Sequence, residues 1–256
     1  MTSHRQHNIL NNKTIFVTGA GRGIGHEILL TALREGASVA AHMGRLSAFD
    51  TTGIDAGENK FLPLSGDLAE EGVVDELWSD ALAWRGRIDA LVNNAGIYVP
   101  SPVEPVSQWQ QGRKSNLLLN LEVPADFCRL AIQHYQQSGE GIVINMASRS
   151  SHRGDDAEHL AYGAAKGGLL ALTKGIARSY DTHKTLAYAI APGWVRTDMA
   201  EAHIATVGEA ALVEPLPMKE ITPPTDVAET VVFLASGRAR HATGSTIDIT
   251  GADYVR

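Results

Sequence analysis

The stretch that decides the fold runs from Thr14 to Gly25 and reads TIFVTGAGRGIG. It opens with an apolar run that is short enough for a buried strand. A turn with glycine at every second position follows, at Gly19, Gly21, Gly23 and Gly25. Apolar residues then recur at three- and four-residue steps over residues 24–35, which predicts a helix that begins at the turn. The stretch therefore predicts a strand, a tight turn and a helix in direct succession.

The same alternation continues through the chain. Predicted strands cover residues 14–18, 38–41, 61–64, 90–92, 142–145, 185–190 and 246–249. Predicted helices cover residues 24–35, 70–84, 107–137, 159–179 and 225–235. Strands that are apolar on consecutive residues are typical of a sheet covered on both faces, and helical crossovers join parallel strands. We therefore predict an α/β fold: a single doubly wound, Rossmann-type domain over residues 1–256, with a mostly parallel seven-stranded sheet and helices on both faces. Residues 1–12 are expected to form a flexible N-terminal extension.

Composition excludes several classes of protein. The 256 residues carry 29 acidic and 22 basic side chains and a formal net charge of -7, which disfavours a general electrostatic binder of nucleic acid. A lone Cys128 excludes an intramolecular disulfide and a clustered-cysteine metal site, and it fits a reducing compartment. No apolar run approaches the ~20 residues of a membrane span. We expect a cytoplasmic protein with no nucleic-acid or membrane partner. The scattered histidines, interpreted as solvated, show no metal-ligand spacing, so no metal is predicted.

The glycine turn suits a phosphate ligand. Glycine lets backbone N–H groups approach a pyrophosphate closely, and the helix N-terminus adds partial positive charge. No Lys-Ser or Lys-Thr pair follows the glycines, so this is not a kinase-type P-loop. A purely steric use of glycine at a tight turn is the alternative interpretation. The strand–turn–helix context favours dinucleotide binding.

The glycine turn and three further motifs make a resemblance to a known family specific. The turn TGAGRGIG has GxxxGxG spacing, the predicted fourth strand leads into Asn93-Asn94-Ala95-Gly96, Tyr162 and Lys166 form a YxxxK pair, and residues 192–197 read PGWVRT. Together these motifs resemble the short-chain dehydrogenase/reductase family from Lys13 to the C-terminus. Within that family, the chain is similar to 3-oxoacyl carrier-protein reductases.

The resemblance implies a set of site residues. The implied catalytic residues are Asn116, Ser148, Tyr162 and Lys166, with Asn116 anchoring a water that links Lys166 to solvent. The implied cofactor-binding residues are Gly19, Gly21, Arg22, Gly23, Ile24, Gly25, Asp67, Leu68, Asn94, Ala95, Gly96, Tyr162, Lys166, Pro192, Gly193, Val195 and Thr197. Among these, the resemblance gives Asp67 the contact with adenine.

The chemistry of the Tyr162–Lys166 pair supports these roles. Four residues apart on a helix, the two side chains share one face. A phenol has an ordinary pKa near ~10, and a nearby ammonium lowers that pKa. We predict that Tyr162 gives or takes the proton of a substrate oxygen while hydride moves between nicotinamide and the carbonyl carbon, and that Ser148 donates a hydrogen bond to that oxygen. Ser148 directly follows a predicted strand, whereas Ser150 and Ser151 are interpreted as solvated loop hydroxyls.

The end of the second predicted strand bears on the choice of cofactor. A carboxylate there selects NAD(H), and a nearby arginine accommodates the 2′-phosphate of NADP(H). The sequence after Ala41 has no acid before Asp50, and it carries Arg45, while Arg22 lies in the glycine turn. We therefore predict NADP(H) as the preferred cofactor, with Arg45 among its contacts. NAD(H) remains possible, since the two arginines could be merely solvated.

The sequence does not identify the substrate. We expect reduction of a ketone or 3-oxoacyl group, with a sugar, polyol or other secondary-alcohol dehydrogenase and a non-catalytic dinucleotide sensor as alternatives. The resemblance implies that residues 198–222 form a substrate lid and that the chain forms a homotetramer or homodimer. Arg149, His152 and Arg153 are a basic cluster that either favours an anionic substrate or is a solvated loop.

Overall fold

The computed structural model describes residues 8–45, 59–180 and 185–255. The strands are β1 (Thr14–Val17), β2 (Ser38–His42), β3 (Phe61–Leu64), β4 (Ala90–Asn93), β5 (Gly141–Met146), β6 (Thr185–Pro192) and β7 (Thr246–Ile249). The helices are α1 (Gly23–Arg34), α2 (Val73–Arg85), α3 (Val106–Leu117), α4 (Val123–Ser138), α5 (Ser150–Arg153), α6 (Leu160–Ser179), α7 (Asp198–Val207), α8 (Glu209–Val213) and α9 (Pro224–Ala235). Within the described residues, none of the helices has the length and apolar character needed to cross a membrane.

The seven strands form one sheet in the order β3-β2-β1-β4-β5-β6-β7, and all six neighbour pairs are parallel. The order reverses between β1 and β4, so the connections leave toward opposite edges there. Ligands of such sheets bind outside the carboxyl ends of the strands at this switch point. The glycine turn follows β1 and Asn94 follows β4, so both lie at the switch point. The α/β prediction is confirmed.

Helices cover both faces of the sheet. Ile15 and Val17 point to one face, where they share a core with α1 and α9. Phe16 points to the other face, with its ring centroid 5.3 Å from that of Phe127 on α4 and 6.0 Å from that of Trp78 on α2. Neighbouring strand residues are therefore both buried, as consecutive apolar residues predicted.

The predicted helix over residues 107–137 is interrupted. It divides into α3, a π-helical turn at Leu118–Glu122, and α4. Pro124 has no N–H to donate to the carbonyl of Asn120, so regular α-helical hydrogen bonding fails at this turn. The proline was the signal in the sequence that a continuous helix was wrong.

The predicted flexible extension over residues 1–12 is wrong for its last five residues. Leu10 is fully buried, and its N–H donates to the carbonyl of Glu35 at 3.0 Å. This apolar anchor holds the segment before β1 against the end of α1. Residues 1–7 lie outside the described residues.

Candidate active site

The glycine turn has no room for side chains. A Cβ on Gly25 would lie 2.1 Å from the carbonyl oxygen of Gly19, and one on Gly21 would lie 2.8 Å from the carbonyl oxygen of Met43. Gly19 and Gly23 have φ of 66° and 56°, in the left-handed region that favours glycine. The turn and the N-terminus of α1 thus form a bare backbone cradle of the kind that fits a dinucleotide pyrophosphate.

Residues after β4 hold the cradle in place. The Asn94 amide donates to the carbonyl oxygens of Thr18 and Gly19 at 2.9 and 3.0 Å. The Thr18 hydroxyl accepts from the backbone N–H groups of Asn94 and Ala95, both at 3.0 Å. The two strand ends at the switch point are therefore tied together by side-chain bonds.

His42, at the end of β2, was missed by sequence reasoning and is not solvated. It is 3% exposed, and its Nδ1 lies 3.3 Å from the backbone nitrogen of Gly19, which donates to it. Its Nε2 lies 3.0 Å from the carbonyl oxygen of Gly66. Burial lowers the pKa of His42, which favours the neutral ring that this acceptor–donor pair requires. The sequence did contain a signal for this role, namely a polar residue at the end of a buried strand.

The end of the site beside the glycine turn and β2 holds two exposed arginines. Arg45 pairs with Asp67, the residue predicted to contact adenine, and is 76% exposed. Asp67 also accepts from the backbone N–H of Ala69, and this bond is the first cause of its lowered pKa. Arg22 is 80% exposed and lies 3.8 Å from Asp198. Both cations stand at the edge of the cradle. The sequence has no acid between Ala41 and Asp50, and residues 46–50 of this stretch lie outside the described residues.

A cleft of about 340 Å³ opens beside the cradle. The predicted residues that line it are Ile24, Asn94, Gly96, Ser148, Tyr162, Lys166, Pro192, Gly193, Val195 and Thr197. Leu68 is buried in the core instead, and Ala95 and the glycines of the turn do not line this cleft. The structure thus brings three of the four predicted catalytic residues to one wall.

Tyr162 and Lys166 lie one turn apart on α6. The Lys166 ammonium is buried, donates to the carbonyl oxygen of Met146 at 2.7 Å, and lies 5.9 Å from the centre of the Tyr162 ring. Burial lowers the pKa of Lys166 to about 8. Burial also raises the pKa of Tyr162 to about 12, while a hydrogen bond with the Ser148 hydroxyl acts in the opposite direction. The prediction that Lys166 lowers the pKa of Tyr162 is therefore wrong for this structure, because burial outweighs the other effects, and Tyr162 is a protonated donor at neutral pH.

Ser148 is positioned by its two neighbouring serines. Its Oγ accepts from the backbone N–H of Ser150 at 3.1 Å, and its own N–H donates to the Ser151 Oγ at 3.1 Å. The interpretation of Ser150 and Ser151 as solvated hydroxyls is wrong, because the short helix α5 turns both back onto Ser148. Hydroxyls within one turn of helix are held by local bonds rather than by water.

Asn116 does not reach the cleft. It is buried, and its amide donates to the carbonyl oxygens of Val99 and Gly112, both at 2.9 Å. Asn120, in the π-helical turn, lines the cleft instead and exchanges two bonds with the backbone of Ile97, at 2.9 and 3.1 Å. Helical periodicity shows which residues share a face only where the hydrogen bonding of the helix is regular. Because that regularity fails before Pro124, residue spacing alone could not show that Asn120 lines the cleft and Asn116 does not.

Tyr98 and Asp155 are further cleft residues that sequence reasoning missed. The Tyr98 ring meets that of Tyr162 edge-on, with centroids 4.8 Å apart, and stacks on His159 at 3.8 Å. Asp155, Asp156 and His159 place potential metal-ligand atoms within 4.8 Å of one another. Each of the three has at least one polar atom bonded to a protein partner, including the 2.8 Å contact between His159 and Asp156. The prediction of no metal stays a prediction.

The C-terminal residues cover the loop that carries Ser148. Arg149 pairs with Asp253, with the two side chains 12% and 13% exposed, and its guanidinium lies 5.1 Å from the centre of the Trp194 ring. His152 lies 3.4 Å from Asp248 and stacks on Tyr254 at 5.6 Å. The solvated-loop interpretation is therefore wrong for Arg149 and His152. Arg149 and Arg153 line the cleft, whereas His152 does not.

Comparison with known proteins agrees with this geometry. The family model described as enoyl-(acyl carrier protein) reductase matches residues 19–251. The chain belongs to the short-chain dehydrogenase/reductase family. This membership makes it an NAD(P)-dependent oxidoreductase, as the motifs predicted.

Relatives within the short-chain dehydrogenase/reductase family have differing names. The 3-oxoacyl-(acyl-carrier-protein) reductase FabG of Staphylococcus epidermidis is 30% identical over 247 residues, covering 95% of this chain and 100% of the relative. The 3beta-hydroxysteroid dehydrogenase 1 of Eggerthella lenta is 31% identical and covers 94% of each chain. Their names place this chain among oxidoreductases without fixing one substrate.

Solved structures of the family share the fold closely. A putative NAD(P)-dependent gluconate 5-dehydrogenase from Beutenbergia cavernae, with NADP bound at low occupancy, has a TM-score of 0.86 and 31% identity, covering 96% of this chain and 98% of that one. Levodione reductase has a TM-score of 0.87 and 25% identity, covering 94% and 97%. The doubly wound architecture extends over nearly the whole chain in both.

Proposed function

We propose that this enzyme reduces a ketone or 3-oxoacyl group with NADP(H) as cofactor. The observation that carries the proposal is the meeting of Ser148, Tyr162 and Lys166 on one wall of the cleft beside the glycine cradle. The similarity to 3-oxoacyl-(acyl-carrier-protein) reductase supports the 3-oxoacyl group. A bound nicotinamide dinucleotide supplies a hydride to the carbonyl carbon, or removes one from the alcohol carbon in the reverse direction.

The side chains of the cleft control the accompanying proton. Tyr162 holds its phenolic proton at neutral pH, because burial raises its pKa, and donates it to the substrate oxygen. Ser148 hydrogen-bonds the same oxygen and stabilises its developing negative charge. Lys166 stabilises the phenolate that remains, and one of its N–H groups is fixed by Met146. Asn120, rather than Asn116, stands beside Lys166 as the polar link toward the cleft.

The preference for NADP(H) rests on Arg22 and Arg45. The pair of Arg22 with Asp198 is exposed, and such pairs contribute only about 0–1 kcal/mol; in the pair with Asp67 the Arg45 side chain is 76% exposed and Asp67 18%. Either guanidinium can therefore leave its partner for a 2′-phosphate, which is doubly charged and accepts bidentate bonds. We expect Arg45→Ala to lower NADPH affinity at least about 10-fold while leaving NADH affinity within twofold. Equal losses for both cofactors would contradict this preference.

A sugar or polyol dehydrogenase is the second candidate. It is favoured by the charged wall of the cleft, which contains Arg153, Asp155 and Asp156 near Tyr162. The solved neighbour named as a gluconate 5-dehydrogenase is similar over nearly the full chain and supports the same candidate. A polar wall suits a hydroxylated substrate better than an acyl chain.

Four remaining expectations complete the proposal. The chain acts as a single domain in the cytoplasm and as a homotetramer or homodimer. Residues 198–222 act as the substrate lid: Thr197 caps α7, accepting from the N–H of Ala200 at 3.4 Å, and Ala200 lines the cleft. The start of the lid also faces the cradle, because a Cβ on Gly23 would lie 3.1 Å from the Thr197 methyl group.

The decisive experiment is a spectrophotometric screen at the absorbance of reduced nicotinamide. NADPH and NADH are each tested with simple ketones, 3-oxobutanoyl thioesters, keto acids and ketoses, and the oxidised cofactors with the matching alcohols. We expect turnover that is faster with NADPH. Tight NADPH binding without turnover of any compound would instead indicate the non-catalytic sensor.

A further inference from the structure

Asp155 is a carboxylate in the wall of the cleft that the mechanism above does not use. One of its oxygens, Oδ1, accepts from the backbone N–H of Asp156 at 3.0 Å and from the Tyr98 hydroxyl at 3.4 Å. The other, Oδ2, accepts from the Ser150 hydroxyl at 2.6 Å. A carboxylate can accept about four hydrogen bonds, so these three protein donors leave one position on Oδ2 for a ligand.

The donors to Asp155 also adjoin the catalytic residues. Ser150 donates its backbone N–H to the Ser148 Oγ while its hydroxyl donates to Asp155. The Tyr98 ring packs edge-on against Tyr162 while its hydroxyl donates to Asp155. Two independent bridges of one residue each therefore hold the carboxylate close to the place where the substrate oxygen meets Ser148 and Tyr162.

The positive groups of the cleft do not form a site for an anionic substrate. Arg149 is neutralised by Asp253 and covered by Trp194, and the Lys166 ammonium is bound to Met146. Arg153 is exposed on α5, and it shares the cleft with both Asp155 and Asp156. Near Tyr162 the cleft thus presents the Asp155 carboxylate as a hydrogen-bond acceptor, whereas the Arg149 guanidinium there is already paired with Asp253.

We propose that Asp155 selects substrates with a hydroxyl group on a carbon next to, or one removed from, the reacting carbon. These are hydroxyketones in reduction and the corresponding diols in oxidation. The inference rests on the proposed reductase function and names the substrate class of the same cleft. The substrate hydroxyl donates to Asp155 Oδ2, while Tyr162 gives its proton to the carbonyl oxygen and the carbonyl carbon receives the hydride, so that a ketone becomes an alcohol.

Physical chemistry makes this selection strong. Asp155 is half-buried, and an unsubstituted alkyl chain packed against it would exclude water from Oδ2 without replacing the lost hydrogen bond, so such a substrate is disfavoured. A substrate carboxylate at the same position meets like charge. Sites built to hydrogen-bond a substrate hydroxyl discriminate strongly against analogues that lack it.

The test compares three ketones of equal carbon number with the full chain and NADPH. They are 2-butanone, 3-hydroxy-2-butanone and 4-hydroxy-2-butanone, with 3-oxobutanoate as the anionic probe. We expect kcat/KM for at least one hydroxyketone to exceed that for 2-butanone by about 100-fold or more. The ratio of kcat/KM for the hydroxyketone to kcat/KM for 2-butanone should fall to about 10 or less in Asp155→Asn and to about three or less in Asp155→Leu. The reason is that only the hydroxyketone loses a hydrogen-bond partner. Glu158→Gln removes an exposed neighbouring charge outside the cleft and should keep the wild-type ratio.

The possible failures are distinguishable. If 2-butanone or 3-oxobutanoate is reduced as well as both hydroxyketones, or if the Asp155 variants keep the wild-type ratio, the selection is wrong and the reductase function stands. If no carbonyl compound of the wider screen is turned over, both proposals fall. Circular dichroism and NADPH binding of the two Asp155 variants establish that each is folded, and the less disruptive Asp155→Asn decides the outcome if Asp155→Leu is not.

Discussion

The two halves of the site are built by different means. The half proposed to bind the cofactor is built mainly of backbone: the turn after β1 and the segment after β4, each continuous in the sequence, with glycines where no side chain fits. The substrate half consists of side chains brought from Tyr98, the loop after Ser148, Trp194 and the C-terminal residues. A cradle made of backbone accepts one cofactor shape. A cleft wall made of paired side chains can change its substrate specificity when one pair of residues is substituted.

The largest effect on kcat should come from Tyr162, which lies between the two halves. Tyr162→Phe removes the proton donor but keeps the ring that packs against Tyr98. We expect kcat to fall about 10³-fold, while the Kd for NADPH stays within about twofold. Stopped-flow turnover and fluorescence titration measure the two quantities. Retained turnover would show that another group donates the proton.

The cofactor half should tolerate no added atom. In Gly25→Ala the new Cβ would meet the carbonyl oxygen of Gly19 at 2.1 Å, and overpacking of this kind costs about 3 kcal/mol. We expect the Kd for NADPH to rise about 150-fold. Gly175→Ala on α6 is the matched control, because its Cβ has no neighbour within 4 Å and alanine favours the helix. Unchanged affinity in Gly25→Ala would mean that the cradle is not the binding site.

The substrate half should depend on a side-chain pair. Asp253→Asn leaves the buried Arg149 guanidinium without its counter-charge, so we expect the free energy of unfolding to fall by about 2–3 kcal/mol. The control, Glu229→Gln, breaks the exposed pair with Arg34 and should cost about 0–1 kcal/mol. Urea denaturation measures both. Equal losses would show that the C-terminal residues do not hold the Ser148 loop.

Asn120 and Asn116 separate the roles of the site and the scaffold. Asn120→Ala removes the amide beside Ile97 and Lys166, and we expect kcat to fall about 10-fold through misplacement of the cleft wall. Asn116→Ala leaves buried carbonyls unpaired, so it should cost about 1–3 kcal/mol of stability with kcat changed less than twofold. The reverse pattern would restore Asn116 as the residue of the mechanism.

The smallest effect is a dependence on pH. Lys166 has its pKa lowered to about 8 by burial, and Tyr162 has its pKa raised to about 12. As pH rises from 7 to 8.5, Lys166 loses its proton while Tyr162 keeps its own, so kcat/KM for reduction should fall about fourfold. In Lys166→Arg the cation persists to higher pH and this decline should disappear. A decline of the same size in that variant would assign the ionisation to another group.

The sequence by itself determined the cofactor half. The order of strands and helices, the glycine turn and the Tyr162–Lys166 pair depend on contacts between near neighbours in the chain and on the period of the elements. The Asn94 motif is recognisable as well, although its partners Thr18 and Gly19 lie 76 and 75 residues away. Such local patterns are visible in a sequence because backbone geometry dictates which residues can occupy them.

The tertiary structure alone decided the substrate half and the exceptions. The π-helical turn placed Asn120 in the cleft in place of Asn116, β2 buried His42 under the glycine turn, and the C-terminal residues neutralised Arg149 with Asp253. Each of these results depends on the direction of a side chain and on a partner as much as 104 residues away in sequence (253 − 149). The direction of a side chain and its partner in an ion pair are set by packing between segments that are far apart in the sequence. No periodic pattern in a single sequence reports that packing.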